Sequence, residues 1–153
     1  AGGMTIHLPQ EDKSFQSKKE LTDRIAVCLG GRCAEEMVLG DISTGAGNDL
    51  QQASRIARNM VTRYGMSDQI GVICYDDDDD EVFIGKDLAH AKSHSETISG
   101  EIDKEVKAII DECYAKAKAL ILEHENVLHS CAELLLQKEK IGQEEFEALF
   151  QAV

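Results

Sequence analysis

Five histidines occur in the 153-residue sequence, and two pairs of them have spacings that invite a metal test. The strictest zinc signature is HExxH, in which two His at i, i+4 lie ~40° apart on one helical face and the intervening Glu serves as base. A near miss is present, His124-Glu125-Asn126-Val127-Leu128-His129. Its histidines are i, i+5, which sets them ~140° apart around a helix, so they cannot grip one ion without breaking it. Two solvated histidines near a helix junction is the expectation. His90 and His94 do share a face, with Glu96 close by, but they sit in a polar stretch, AHAKSHSE, with no Glu between them. A native ion is not expected there, though the spacing would let the pair pick up nickel or zinc adventitiously. The acidic run Asp76 to Asp80 has Glu81 and Asp87 where a calcium loop needs its glycine and its terminal glutamate, so it reads as a solvated hairpin tip. Cys28 and Cys33 lie on an apolar stripe and read as small buried hydrophobes. No G-x-S-x-G elbow, Walker loop or dinucleotide fingerprint occurs. One loop remains, Ser43-Thr44-Gly45-Ala46-Gly47-Asn48-Asp49. Glycine-rich backbone entering a helix can be an anion nest or a cap, and the composition favours the cap.

The elements that must position these residues are mostly helical. From Lys18 onward Leu21, Ile25, Cys28, Leu29, Cys33 and Met37 fall at helical spacing. Gly30 and Gly31 inside that stripe would cost about 2 kcal/mol together relative to Ala, which suggests either a closely packed backbone or a break between two helices. The Gly40 to Asn48 loop can cap a second helix, with a stripe of Leu50, Ala53, Ala57, Met60, Val61 and Tyr64 and closure at Gly65. Thr5 to Leu8, Ile70 to Tyr75 and Val82 to Ile84 read as short extended pieces, the last two as a hairpin or edge strands. Ile98, Ile102, Val106, Ile109, Cys113, Ala117, Leu120 and Ile121 make the principal helix. Val127, Leu128, Cys131, Leu134 and Leu135 make a fourth stripe, and Phe146, Leu149, Phe150 and Val153 a last one opened at Gly142. The expected fold is therefore mainly α, a helical bundle with a small β element, in one domain over residues 1–153.

Composition narrows the function. Sixteen basic against 29 acidic residues give a net charge of −13, which repels nucleic-acid backbones and anionic lipid. No apolar run approaches the ~20 residues of a membrane helix. One Pro, no Trp and 5% aromatics argue against an all-β sandwich. Five scattered cysteines fit reduced thiols better than a disulfide framework.

The loop singled out above opens the segment STGAGNDLQQASRIARNMVTRYGMS, which resembles the STGAxNDxxxATxxARxMVxxxGMS block of the FtsH-type ATP-dependent zinc metalloproteases, peptidase family M41. Other blocks agree in order. Gly3-Met4-Thr5 with Leu8-Pro9 resembles GxTxxLP, Gly30 to Glu36 resembles GGRxAEE, and Glu81 to Lys86 resembles EVFLGR. Ser95-Glu96-Thr97 with Ile102 to Val106 is similar to SExT…IDxEV, and Ile141 to Phe146 to the closing IxGxEF.

The resemblance implies a peptidase lobe carried below an ATPase ring, in a hexamer anchored at a bacterial cytoplasmic or organelle membrane and acting on membrane and misfolded polypeptides. Its zinc would be held by two His of an upstream HExxH and by one aspartate, which maps onto Asp49. Glu35, the first Glu of the AEE block, maps onto a residue that orients the zinc site without ligating it. The HExxH itself is missing, so this chain is expected to begin just after it, to lack the ATPase module that binds ATP and the membrane segments, and to be inactive alone. The rival expectation is a non-catalytic helical assembly module or a pseudoprotease. An HExxH and an ATPase cassette encoded upstream of Ala1 would favour the protease.

Overall fold

A computed structural model of the chain describes residues 2–9, 14–75 and 95–151. Ser17 starts the first helix with a reciprocal cap, its Oγ accepting from Glu20 N at 3.1 Å while Ser17 N donates to Glu20 Oε2 at 2.7 Å. Helix α1 then runs Lys18–Ala34 and buries Leu21, Ile25, Ala26, Leu29 and Cys33. It does not stop at Ala34 but widens into a π-helical turn, Glu35–Leu39, which ends where Gly40 takes φ 65°, a left-handed conformation that suits glycine.

Both expectations for Gly30 and Gly31 are corrected. The helix is unbroken through them, and a Cβ on either would meet nothing within 4 Å. Packing of the opposite face overrides the local propensity cost, so neither a close neighbour nor a break is needed.

A 3-10 turn, Thr44–Ala46, leads into α2, Gly47–Thr62, which buries Ala53, Ala57, Met60 and Val61. Helix α3, Glu96–Glu123, starts at Ser95, whose Oγ accepts from Ile98 N at 3.3 Å, and buries Ile102, Cys113 and Ala117. These three helices enclose the main core, with Leu21, Ile25, Leu29, Ala53, Ala57, Met60, Cys113 and Ala117 in one cluster. Val61, Ile70 and Ile102 form a second, smaller cluster beside it. Helix α4, Glu125–Lys138, buries only Val127, and the short α5, Gln143–Ala148, buries none of its residues. The expected fourth stripe therefore faces inward but is half-covered.

The fold is mainly α, as expected, but the small β element is not present among the described residues. Thr5 to Leu8 pairs with nothing in a ladder, and 70–75 is turn and irregular backbone. The amides there are already committed locally: Gly71 N donates to Ser67 O at 2.8 Å, Ile70 N to Ser67 Oγ at 3.3 Å, and Tyr75 N to Thr62 O at 2.8 Å. Three of the six amides of the segment are thus already used in folding it back on the end of α2. The acidic run Asp76 to Asp80, the apolar run Val82 to Ile84, and His90 and His94 lie outside the described residues.

Candidate functional site

The end of α1 and the start of α2 meet at the loop that the sequence singled out. Glu35 stands in the first turn of the π segment and reaches back across that loop to Ser43. Ser43 Oγ donates to Glu35 Oε1 at 2.7 Å and Ser43 N donates to Glu35 Oε2 at 3.2 Å, so both carboxylate oxygens are used. The same Ser43 Oγ accepts from Gly45 N at 3.1 Å, which caps the 3-10 turn. A Cβ at Gly45 would lie 3.2 Å from that hydroxyl, so glycine is what lets the turn close. Arg32 completes the clasp: its Nη2 donates to Ser43 O at 3.0 Å, and its Nε lies 3.8 Å from Glu35 Oε2. Of the two readings of this loop, the structure shows capping, by Ser43 rather than by a residue at the mouth of α2, since Ala46 offers α2 no side-chain bond.

Asp49 follows in the first turn of α2, exposed, with its charge at the end of the helix dipole that favours an anion. It takes part in no hydrogen bond or ion pair among the described residues, which leaves both oxygens available. Its neighbour across the helix pair is Cys28, whose thiol is pushed up by burial first and by the Asp49 charge second.

Glu35 is thus not a solvent-facing helix glutamate; it is the fastening of the loop that precedes Asp49. The two bonds from Ser43, the side-chain one first, together with Arg32, hold its carboxyl below the ordinary 4.5. A carboxyl with a depressed folded value contributes its hold above the unfolded value and loses it as pH falls through the folded one. Protection of the Ser43 and Gly45 amides, taken relative to their intrinsic exchange rate at each pH, should therefore be full at neutral pH and fall on acidification, with a midpoint under 4.5. A midpoint at or above that value would mean that the carboxylate does not hold these groups in solution.

The sequence reading passed over two residues beside the site. Tyr114 on α3 donates its hydroxyl to Glu36 Oε2, tying the π turn to the body of the bundle. That bond, and burial after it, push the Tyr114 phenol up to about 12. Glu36 lay in view inside the matching block, whereas Tyr114 lies between two residues of the α3 stripe and carries no signal in one dimension. The histidine near miss is taken apart as expected. His124 sits at the α3–α4 junction with its ring 5.2 Å from that of Phe150, and His129 lies on α4 with Nε2 3.7 Å from Glu125 Oε1. Among the described residues no group of three His, Cys, Asp or Glu is placed to hold one ion.

Comparison with known proteins fits this geometry. The sequence model of peptidase family M41 matches residues 1–149. The chain belongs to peptidase family M41. It is 49% identical over 150 residues to the ATP-dependent zinc metalloprotease FtsH 1 of Thermoanaerobacter sp. (strain X514), a match covering 98% of this chain and 24% of that protein. It is 48% identical to the ATP-dependent zinc metalloprotease FtsH of Caldicellulosiruptor bescii, over 97% of this chain and 24% of the relative. The FtsH of Bacillus subtilis (strain 168) is 43% identical, over 97% and 24%. This M41 chain thus spans about a quarter of the length of the curated relatives it matches. No helix among its described residues is long and apolar enough to cross a membrane.

Proposed function

We propose that this chain is the carboxy-terminal part of the peptidase domain in an ATP-dependent zinc metalloendopeptidase, and that Asp49 is its zinc ligand. The observation that carries the reading is the carboxylate itself, exposed at the head of α2 with no competing partner among the described residues and preceded by a loop that the Glu35–Ser43 clasp fastens, in a chain of the M41 family. A hard oxygen donor on the first turn of a rigid helix suits zinc, and Asp49 supplies one donor only. When bound, the metal supplies Lewis acidity for peptide hydrolysis.

The chain's own part is to present that oxygen and to keep it still: Arg32, Glu35 and Ser43 fix the loop, and the loop fixes the register of α2. The remaining donors and the base would come from an HExxH helix, which the 153 residues do not contain. ATP dependence, zinc and proteolysis are in the names of the relatives; that ATP binds a separate module and that the whole works as a membrane-anchored hexamer on polypeptide substrates is part of this proposal. By itself the chain is proposed to be inactive, because one carboxylate cannot close a zinc site.

The test compares the full-length protein carrying this sequence with the 153-residue chain. In the full-length protein, casein digestion should require ATP, stop with a zinc chelator and return with zinc, while ATP hydrolysis continues throughout. The 153-residue chain should digest nothing. Proteolysis indifferent to the chelator, or chelator-sensitive digestion by the short chain, would overturn the proposal.

A further inference from the structure

The π turn that carries Glu35 has no core of its own, since none of Glu35–Leu39 is buried. Its tie to α3 is polar, the hydroxyl of Tyr114 donating to Glu36 Oε2. Tyr114 itself stands on firm ground: the preceding residue, Cys113, is 3% exposed, and its Sγ lies 3.5 Å from Thr22 O on α1. At the last turn of α1, Cys33 Sγ approaches Met37 Sδ of the π turn at 3.7 Å and also interacts with the Tyr114 hydroxyl, behind Glu36 in its effect on that phenol.

One residue before Glu36, the Glu35 carboxylate accepts from Ser43 N and Ser43 Oγ, and Ser43 Oγ accepts from Gly45 N. Two residues beyond Gly45, Gly47 opens α2, and Asp49 lies in its first turn. Hydrogen bonds joined by short steps of backbone, Glu36 to Glu35 and Gly45 to Asp49, thus lead from α3 to the head of α2 by way of the π turn. Single π turns in helices are frequent at functional sites, and this one forms the end of α1.

We propose that the Glu36–Tyr114 pair is a positioning device: it holds the π turn against α3 so that Glu35 can fasten the loop that sets Asp49. The inference rests on Asp49 being a zinc ligand, and it adds two residues that never approach the metal. Outer groups that orient a ligand are worth 10–100-fold in metal affinity as a rule.

Tyr114→Phe keeps the ring and removes the donor. In the full-length holoenzyme it should weaken zinc binding, read by competition with a chelator, by about 10-fold. In the same variant amide exchange at Ser43 and Gly45 should quicken several-fold while amides of the α1–α2–α3 core keep their rates. Glu36→Ala should reproduce both effects. Glu36→Gln, whose amide oxygen still accepts from the Tyr114 hydroxyl, should restore both.

A Tyr114→Phe protein with unchanged exchange at Ser43 and Gly45, or one in which core and loop amides quicken alike, would overturn the positioning role. Asp49→Ala separates this from the parent reading. If that variant loses zinc while Tyr114→Phe leaves affinity untouched, the pair has no positioning role and the ligand assignment stands. If Asp49→Ala keeps its zinc, the ligand assignment is what fails.

Discussion

Asp49→Ala in the full-length protein should lower zinc affinity by more than about 100-fold, beyond what loss of an outer orienting group costs, and should abolish proteolysis while ATP hydrolysis persists. The reasoning begins with the state of the carboxylate. It is exposed, on the first turn of α2, and shares no hydrogen bond or ion pair with any described residue. Removing it therefore breaks nothing that holds the fold, and the helix-dipole contribution lost at an exposed N-terminal turn is under about 1 kcal/mol. A large effect on metal with a small effect on stability is the signature of a ligand. Zinc stoichiometry, casein digestion and the urea midpoint, measured on the same preparation, decide it. Full zinc occupancy with intact proteolysis would refute the assignment, and a collapse of the midpoint would show Asp49 to be structural instead.

The contrast with Glu35→Gln sharpens the distinction. The amide keeps an oxygen for Ser43 but gives up a charge and one acceptor, so the loop loosens without losing a ligand. A partial fall in zinc affinity with slower proteolysis is expected there, against the complete loss at Asp49.

What the sequence made legible and what it hid divide along a physical line. Helices with one buried face announce themselves through spacing, and α2 illustrates it: Ala53, Ala57, Met60 and Val61 all proved fully buried. Asp49 and Glu35 were found through motif resemblance alone, because a single acidic residue on a helix carries no periodic signal. The clasp between Glu35 and Ser43 spans eight residues of chain, and the Glu36–Tyr114 bond spans 78. Neither distance can be read from a string, since the first depends on how the loop after the π turn folds back and the second on how α1 and α3 lie side by side. The β expectation is not borne out among the described residues, and Val82 to Ile84, half of it, lies outside them. The run 70–75 has the apolar composition of a strand, but the amides of Ile70, Gly71 and Tyr75 go to Ser67 and Thr62. Gly30 and Gly31 misled in the opposite sense, their cost being absorbed by the packing of Ile25, Leu29 and Cys33 on the other face of the same helix.

Ile25→Ala should destabilise the chain by about 3 kcal/mol, which is a drop of roughly 10 °C in melting temperature for a domain of this size. Ile25 is 0% exposed and belongs to the cluster that joins α1, α2 and α3. The cost of such a truncation depends on how well the surroundings close over the void. Here they close poorly, because Ala26, Ala53, Ala57 and Ala117 of the same cluster have no side-chain freedom with which to fill it. Met60, a flexible filler in that cluster, is already 0% exposed and committed, and Met66 packs against the cluster from its edge. Leu136→Ala provides the control, since Leu136 is 85% exposed on α4 and its loss should move stability by no more than about 0.5 kcal/mol. Urea unfolding of the two variants beside the unaltered chain makes the comparison. Equal shifts would show that the α1–α2–α3 cluster is not what holds the molecule together. A large shift at Ile25 alone would place the stability of the chain in the three helices that position Glu35, Asp49 and Tyr114, so that the site rests on the firmest part of the fold.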